Sequence, residues 1–108
     1  MKEILARVTE ICKNIEIENA LQYVLEKNPS NNLPYHNLLH TLSMVECCFN
    51  AANYYNLPLV SIRPLSVAAL FHDFAHSGGK LPDSDNIKNA IASFNHWNML
   101  QNHSTHGH

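Results

Sequence analysis

The segment Leu65-Ser66-Val67-Ala68-Ala69-Leu70-Phe71 constrains this chain more than any other. It is apolar nearly all round, so a helix formed here has no solvent face and must lie in the middle of a fold. It then runs directly into His72-Asp73. A strongly polar pair at the end of a buried helix is costly unless a partner satisfies it. Neighbouring segments must therefore cover the helix on its sides and meet the polar pair at its end.

Those neighbours also read as helices. Ile4, Leu5, Val8, Ile11 and Cys12 recur at helical spacing over residues 3–13. Ile17, Ala20, Leu21, Val24 and Leu25 do the same over 15–27, with a kink expected near Asn14. Residues 27–34 form a turn-rich break, and Pro34 predicts a new helix just after it, from about Tyr35 to Tyr55. Its buried side is expected at Leu38, Leu39, Leu42, Val45, Cys48, Phe49 and Ala52, and Asn56-Leu57-Pro58 ends it. The apolar helix is predicted over Ile62 to Ala75, with Pro64 in its first turn. Gly78-Gly79 in the following loop reads as a helix stop. Ser84 or Asp85 is expected to cap a fifth helix carrying Ile87, Ala90, Ile91, Phe94 and Leu100. There is no strand-like alternation and no internal repeat. The expectation is an all-α chain, a compact bundle of about five helices. A single domain covers residues 1–102, and residues 103–108 form a polar tail whose His103, His106 and His108 read as a frayed end.

Composition narrows the partners. At 45% apolar residues the chain is not disordered by composition. The seven Lys and Arg are scattered and the formal charge is −2, so no basic stripe exists to neutralise a polymeric nucleic acid. A small phosphorylated substrate remains open, because a metal can supply positive charge locally. No apolar run approaches the ~18 residues a membrane span needs, and the N-terminus lacks a signal-peptide core. The three cysteines, Cys12, Cys47 and Cys48, are odd in number and include an adjacent pair. They suit a reducing cytoplasm and read as small buried hydrophobes.

Four of the eight histidines fall into two clusters. His36 and His40 lie in Tyr35-His36-Asn37-Leu38-Leu39-His40, and His72 and His76 in His72-Asp73-Phe74-Ala75-His76. Residues at i and i+4 share a helix face, so each cluster can aim two imidazoles at one point. His40, His72 and Asp73 would offer a metal three ligands from two helices and leave positions open for water and substrate, the condition for catalysis. Imidazole with carboxylate suits Zn, Mn, Fe or Ni, and the carboxylate also admits Mg. On an ideal helix His72 and Asp73 point about 100° apart. Convergence therefore needs the ion near the helix end, or Asp73 bridging two ions. His36 is placed to protonate a leaving group, and His76 adds a donor or proton carrier.

These two motifs resemble those of the HD-domain metal-dependent phosphohydrolases, most nearly the cyclic-nucleotide phosphodiesterase branch. The matching stretches are Tyr35 to His40 and Ala68-Ala69-Leu70-Phe71-His72-Asp73-Phe74-Ala75-His76-Ser77-Gly78, and the resemblance covers about residues 33–98. It implies an all-helical HD-type core and one or two divalent metal ions on His40, His72 and Asp73. It implies His36 as general acid, His76 near a second ion, and Tyr35 and Asn37 in support. The implied reaction is hydrolysis of a small nucleotide or cyclic nucleotide by metal-activated water. The chain departs from the family at two points: a further Asp well downstream completes the family's first site, and here no Asp follows Asp85; related sequences often carry a carboxylate early in the next helix, and here Ile87 and Lys88 stand there. His96 could substitute, but beside Trp97 it reads as structural. The first departure leaves a second expectation, a non-catalytic or truncated HD-fold module that binds a nucleotide or metal. The short core also leads us to expect a homodimer.

Overall fold

The computed structural model describes residues 2–32, 37–76, 80 and 82–106, without the side chains of Ser30, Asp83 and residues 102–106. Five helices follow one another: α1 (Lys2–Asn14), α2 (Glu18–Lys27), α3 (Leu38–Tyr54), α4 (Leu59–Phe71) and α5 (Asp83–His106), with a short 3-10 turn at Pro29–Asn32. No strand occurs among the described residues. The expected all-α bundle is what the chain forms. Its radius of gyration of 13.8 Å is close to the ~13 Å of a compact chain of about this length.

Helix α4 lies between α3, α2 and α5, while α1 packs on α3 and α2. Its Ser66 and Leu70 are fully buried, and Phe71 and Val67 nearly so, but Leu59, Val60, Leu65 and Ala68 are exposed, so the helix keeps a solvent face that its apolar sequence did not predict. Val8, Cys12, Ala20, Val24, Leu42 and Val45 complete the centre from α1, α2 and α3. The periodicity of these three helices was legible residue by residue, save that Leu39 is exposed. Asn19 donates a side-chain hydrogen bond to Gln101, linking α2 to the far part of α5. Arg7 and Glu46 pair on the surface between α1 and α3, each shifting the other toward its charged form. No helix among the described residues is long and apolar enough to cross a membrane.

The kink expected near Asn14 is a full break. Glu16 takes φ 62°, Ile17 N–H reaches back to Cys12 O and Glu16 N–H to Lys13 O. This is the Schellman closure, with Ile17 returning its side chain to the core. The same pair of bonds closes α3 at Asn56, φ 55°, from Leu57 N–H to Ala52 O and from Asn56 N–H to Asn53 O.

Three boundaries differ from expectation. Helix α4 begins at Leu59, not Ile62, which puts Pro64 inside the helix rather than in its first turn. Pro64 is exposed, so the carbonyl it cannot satisfy is free to meet water. Helix α4 also stops at Phe71, well before Gly78-Gly79, which with Ser77 lies outside the described residues. Helix α5 begins at Asp83, so Ser84 and Asp85 sit in its first turn rather than at its cap, and its backbone stays helical through His106. Its buried stripe is Asn86, Ala90 and Trp97 with Phe94 half-buried, whereas Ile87, Ile91 and Leu100 are exposed. Trp97 offers more apolar area than either isoleucine, and its ring lies 5.7 Å from Phe71.

Of the cysteines, only Cys12 is fully buried; Cys48 is half-buried and Cys47 exposed. Burial pushes the Cys12 thiol up to about 12, and Cys48 is raised for the same reason. The folded chain therefore holds the Cys12 proton longer than the unfolded chain, and this contribution to stability is lost as pH rises from the ordinary thiol range toward 12. At pH 8 a thiol reagent should label Cys47 fastest, Cys48 more slowly and Cys12 only on unfolding; rapid native labelling of Cys12 would contradict its burial. Leu70→Ala should cost about 2–5 kcal/mol in urea denaturation, as a fully buried leucine does. Ser66→Ala should be neutral or stabilising, because the buried Ser66 hydroxyl has no hydrogen-bond partner among the described residues.

Candidate metal centre

The N-terminal end of α3 meets the C-terminal end of α4, and each end positions its own histidine. Asn37 is the N-cap of α3, with its side-chain Oδ1 accepting from the His40 amide at 3.0 Å. Thr41 N–H bonds to the Asn37 carbonyl at 3.1 Å. This capping fixes His40 on the third helical residue, in the first turn. At the other end, His72 follows the last residue of α4. Its Nδ1 lies 2.6 Å from the Ala69 carbonyl, one turn back. A carbonyl only accepts, so the proton is on Nδ1.

Three atoms converge: His40 Nε2 and His72 Nε2 lie 3.2 Å apart, and they stand 3.3 and 3.1 Å from Asp73 Oδ2. Asp73 is nearly buried, with 11% of its side chain exposed, while His40 keeps 43% open to solvent. With the proton on Nδ1, a neutral His72 turns the lone pair of Nε2 toward a carboxylate oxygen. Two acceptors in that position repel each other unless a cation, metal ion or proton, lies between them. For metal–ligand bonds of about 2.0–2.1 Å in tetrahedral array, ligand atoms stand roughly 3.3–3.4 Å apart. An octahedral ion with bonds of similar length brings neighbouring ligands to about 2.9–3.0 Å. The observed separations, 3.1–3.3 Å, fall between the two values, so the donor set fits a small divalent ion with positions left over.

A turn, rather than a longer helix, lets neighbouring side chains converge. Phe74 N–H bonds to Phe71 O and His76 N–H to Asp73 O, while Ala75 takes φ 57°. The Ala75 amide donates to Asn28 Oδ1 at 2.9 Å, and Asn28 is itself buried at the C-cap of α2. Phe74 is buried against Tyr23 and Phe71. The turn is thus held at one point by an asparagine and at another by a ring.

The sequence-predicted residues divide accordingly. His40, His72 and Asp73 come together. His76 does not share a helix face with His72, because α4 has ended and the Ala75 conformation turns the chain away; it is half-buried and outside the three-atom group. His36 and Tyr35 lie outside the described residues, and α3 begins only at Leu38. His96 is exposed, its ring 6.4 Å from Tyr23, and does not join the group. Asp85 does not join it either. The support from Asn28 went unread, although Asn28-Pro29 marks the end of a helix and a buried asparagine needs partners.

Compared with protein-family models, curated proteins and solved structures, the chain finds no match. The site therefore stands on its own geometry.

Asn28→Ala should remove the acceptor that holds the Ala75 amide. Hydrogen exchange at Ala75 and His76 should speed up by an order of magnitude or more, while amides in the middle of α3 stay protected. Unchanged exchange at Ala75 would show that the turn is held without Asn28.

Proposed function

We propose that this chain is a metal-dependent phosphoester hydrolase whose ion is held by His40, His72 and Asp73. The observation that carries the reading is the convergence of two imidazole nitrogens and one carboxylate oxygen, with His72 fixed in the tautomer that offers Nε2. Two neutral imidazoles and one carboxylate leave a divalent ion with net positive charge and open positions, the combination suited to an anionic ester. Such an ion would polarise a phosphoryl oxygen and acidify a water. The chain's own part is to orient its donors: Asn37 through the His40 amide, Ala69 through His72 Nδ1, and Asn28 through the turn that carries Asp73. The exposed side of His40 leaves a route for substrate. His36 is assigned as the general acid and His76 as a neighbouring proton carrier, on their positions in the motifs and their resemblance to the HD-domain hydrolases. Among the ions that suit these donors, the two imidazoles favour Zn over Mg.

One observation favours a second reading. Among the described residues no further carboxylate or histidine joins the three. A site that stops at three protein ligands also serves a module that binds a metal or a nucleotide without turning it over.

The test is metal content by mass spectrometry, with His103, His106 and His108 replaced by alanine so that tail histidines cannot contribute. About one ion per chain is expected in this background, falling to near zero in Asp73→Ala with helicity retained. Uptake should weaken on acidification, because protons compete for the same lone pairs. His36→Ala should keep the metal and lose phosphatase turnover by about 10²-fold or more, the usual scale of an acid's contribution. Stoichiometric metal without turnover in the parent would select the binding module. No metal in the parent would end the hydrolase reading and leave a module that binds a nucleotide without an ion.

A further inference from the structure

A groove of about 240 Å³ runs between α4 and α5. Pro64, Ala68 and Phe71 form one wall, and Ala90, Ile91 and Phe94 the other. Along α4 the wall steps by single turns toward the C-terminal end, where His72 completes it. His72 therefore serves two places: its Nε2 belongs to the three-atom cluster, and its side chain lines the groove. Every other described lining residue is apolar.

Size and chemistry limit what fits. A dry apolar cavity of about 150 Å³ takes a benzene, and drug-sized ligands occupy about 300–1,000 Å³. This groove falls between those values, room for one substituted ring or a short branched alkyl group. A nucleobase or ribose placed there would give up hydrogen bonds to water and, among the described lining residues, meet apolar side chains everywhere except at His72.

We infer that the groove receives the uncharged apolar substituent of a phosphoester whose phosphoryl group lies at the His40–His72–Asp73 cluster, so that the preferred ligands are aryl or branched alkyl phosphoesters rather than nucleotides. This rests on the metal-site reading above and departs from the nucleotide class that the resemblance implied. The phosphoryl anion meets the cation, and the ring lies on the Phe71 and Phe94 side of His72. Ile91, 54% exposed, forms the open lip.

The test uses ¹⁹F NMR titration of the zinc-loaded chain with 4-fluorophenylphosphonate, set against competing methylphosphonate and AMP, and of the metal-free chain with 4-fluorotoluene. The arylphosphonate is expected to bind about tenfold tighter than methylphosphonate and AMP. Ala90→Leu should fill the groove and erase that preference while zinc content is unchanged. Ile91→Ser, at an exposed position that folding tolerates, should weaken the arylphosphonate several-fold and leave methylphosphonate alone. Fluorotoluene should bind wild type without metal and lose binding in Ala90→Leu. Equal affinities for the phosphonates on a zinc-loaded chain would overturn this inference and leave the metal site standing, as would tighter binding of AMP. Absence of zinc would overturn both. Failure of fluorotoluene to bind would overturn the groove's role whatever the metal does.

Discussion

Helix α4 has to bury the face that carries Ile62, Ser66, Val67, Ala69, Leu70 and Phe71 and also has to stop at Phe71. Burial alone would favour continuation, since Phe74 and Ala75 extend the apolar spacing. A longer helix, however, would splay His72 and Asp73 by about 100° and send their polar groups into separate surroundings. The arrest turns both toward His40. It also has a cost: a non-glycine residue in the left-handed region loses about 1–2 kcal/mol, and Ala75 sits there at φ 57°. The Asn28 hydrogen bond and the burial of Phe74 among Tyr23 and Phe71 offset that cost.

The two other helix ends in the same left-handed conformation make a useful contrast. At Glu16 and Asn56 the chain satisfies its own carbonyls, using bonds between residues three and five apart. At Ala75 the amide leaves its own helix and bonds to a side chain 47 residues away. The first kind of closure is local and survives any packing. The second exists only if α2 and α4 are already in register. The positions of His72 and Asp73 thus depend on tertiary structure, whereas that of His40 depends on a local cap. Helix dipoles act in opposite directions across the site: the C-terminal end of α4 favours a cation, and the N-terminal end of α3 favours the Asp73 carboxylate.

The same distinction explains what could be read in advance. The apolar phases of α1, α2 and α3 are local patterns, and Val8, Cys12, Ala20, Val24, Leu42 and Val45 are buried as spacing predicts. Asn56-Leu57-Pro58 cannot continue a helix, so the end of α3 was legible, and Asn56 there takes the left-handed region. The end of α4 was not, because neither Ala75 nor its near neighbours announce it and the deciding group is Asn28. That one miss carries over to the site. Reading α4 through Ala75 put His76 on the face of His72, and ending α4 at Phe71 removes it from that face. His40, His72 and Asp73 were legible as a group because residue type and apolar flanks sufficed. Their convergence geometry was not, since it is a property of the turn.

Helix α5 shows the limit of periodicity from another side. Its sequence carries two apolar stripes, and the bundle can bury only one of them well. Trp97 and Ala90 face inward, and Ile87 and Ile91 are left outside. The spacing of α5 from α4 then follows from side-chain size. Phe94 meets Phe71 edge-on, at 5.7 Å and 82°, and their rings act as a spacer. Ala68 and Ala90 are too small to fill the interval beside them. The groove is therefore a consequence of two bulky contacts flanked by two small ones, with the end of α4 as its far boundary. His72 belongs to both groove and cluster for the same reason: it is the first residue after the helix that the rest of the chain surrounds.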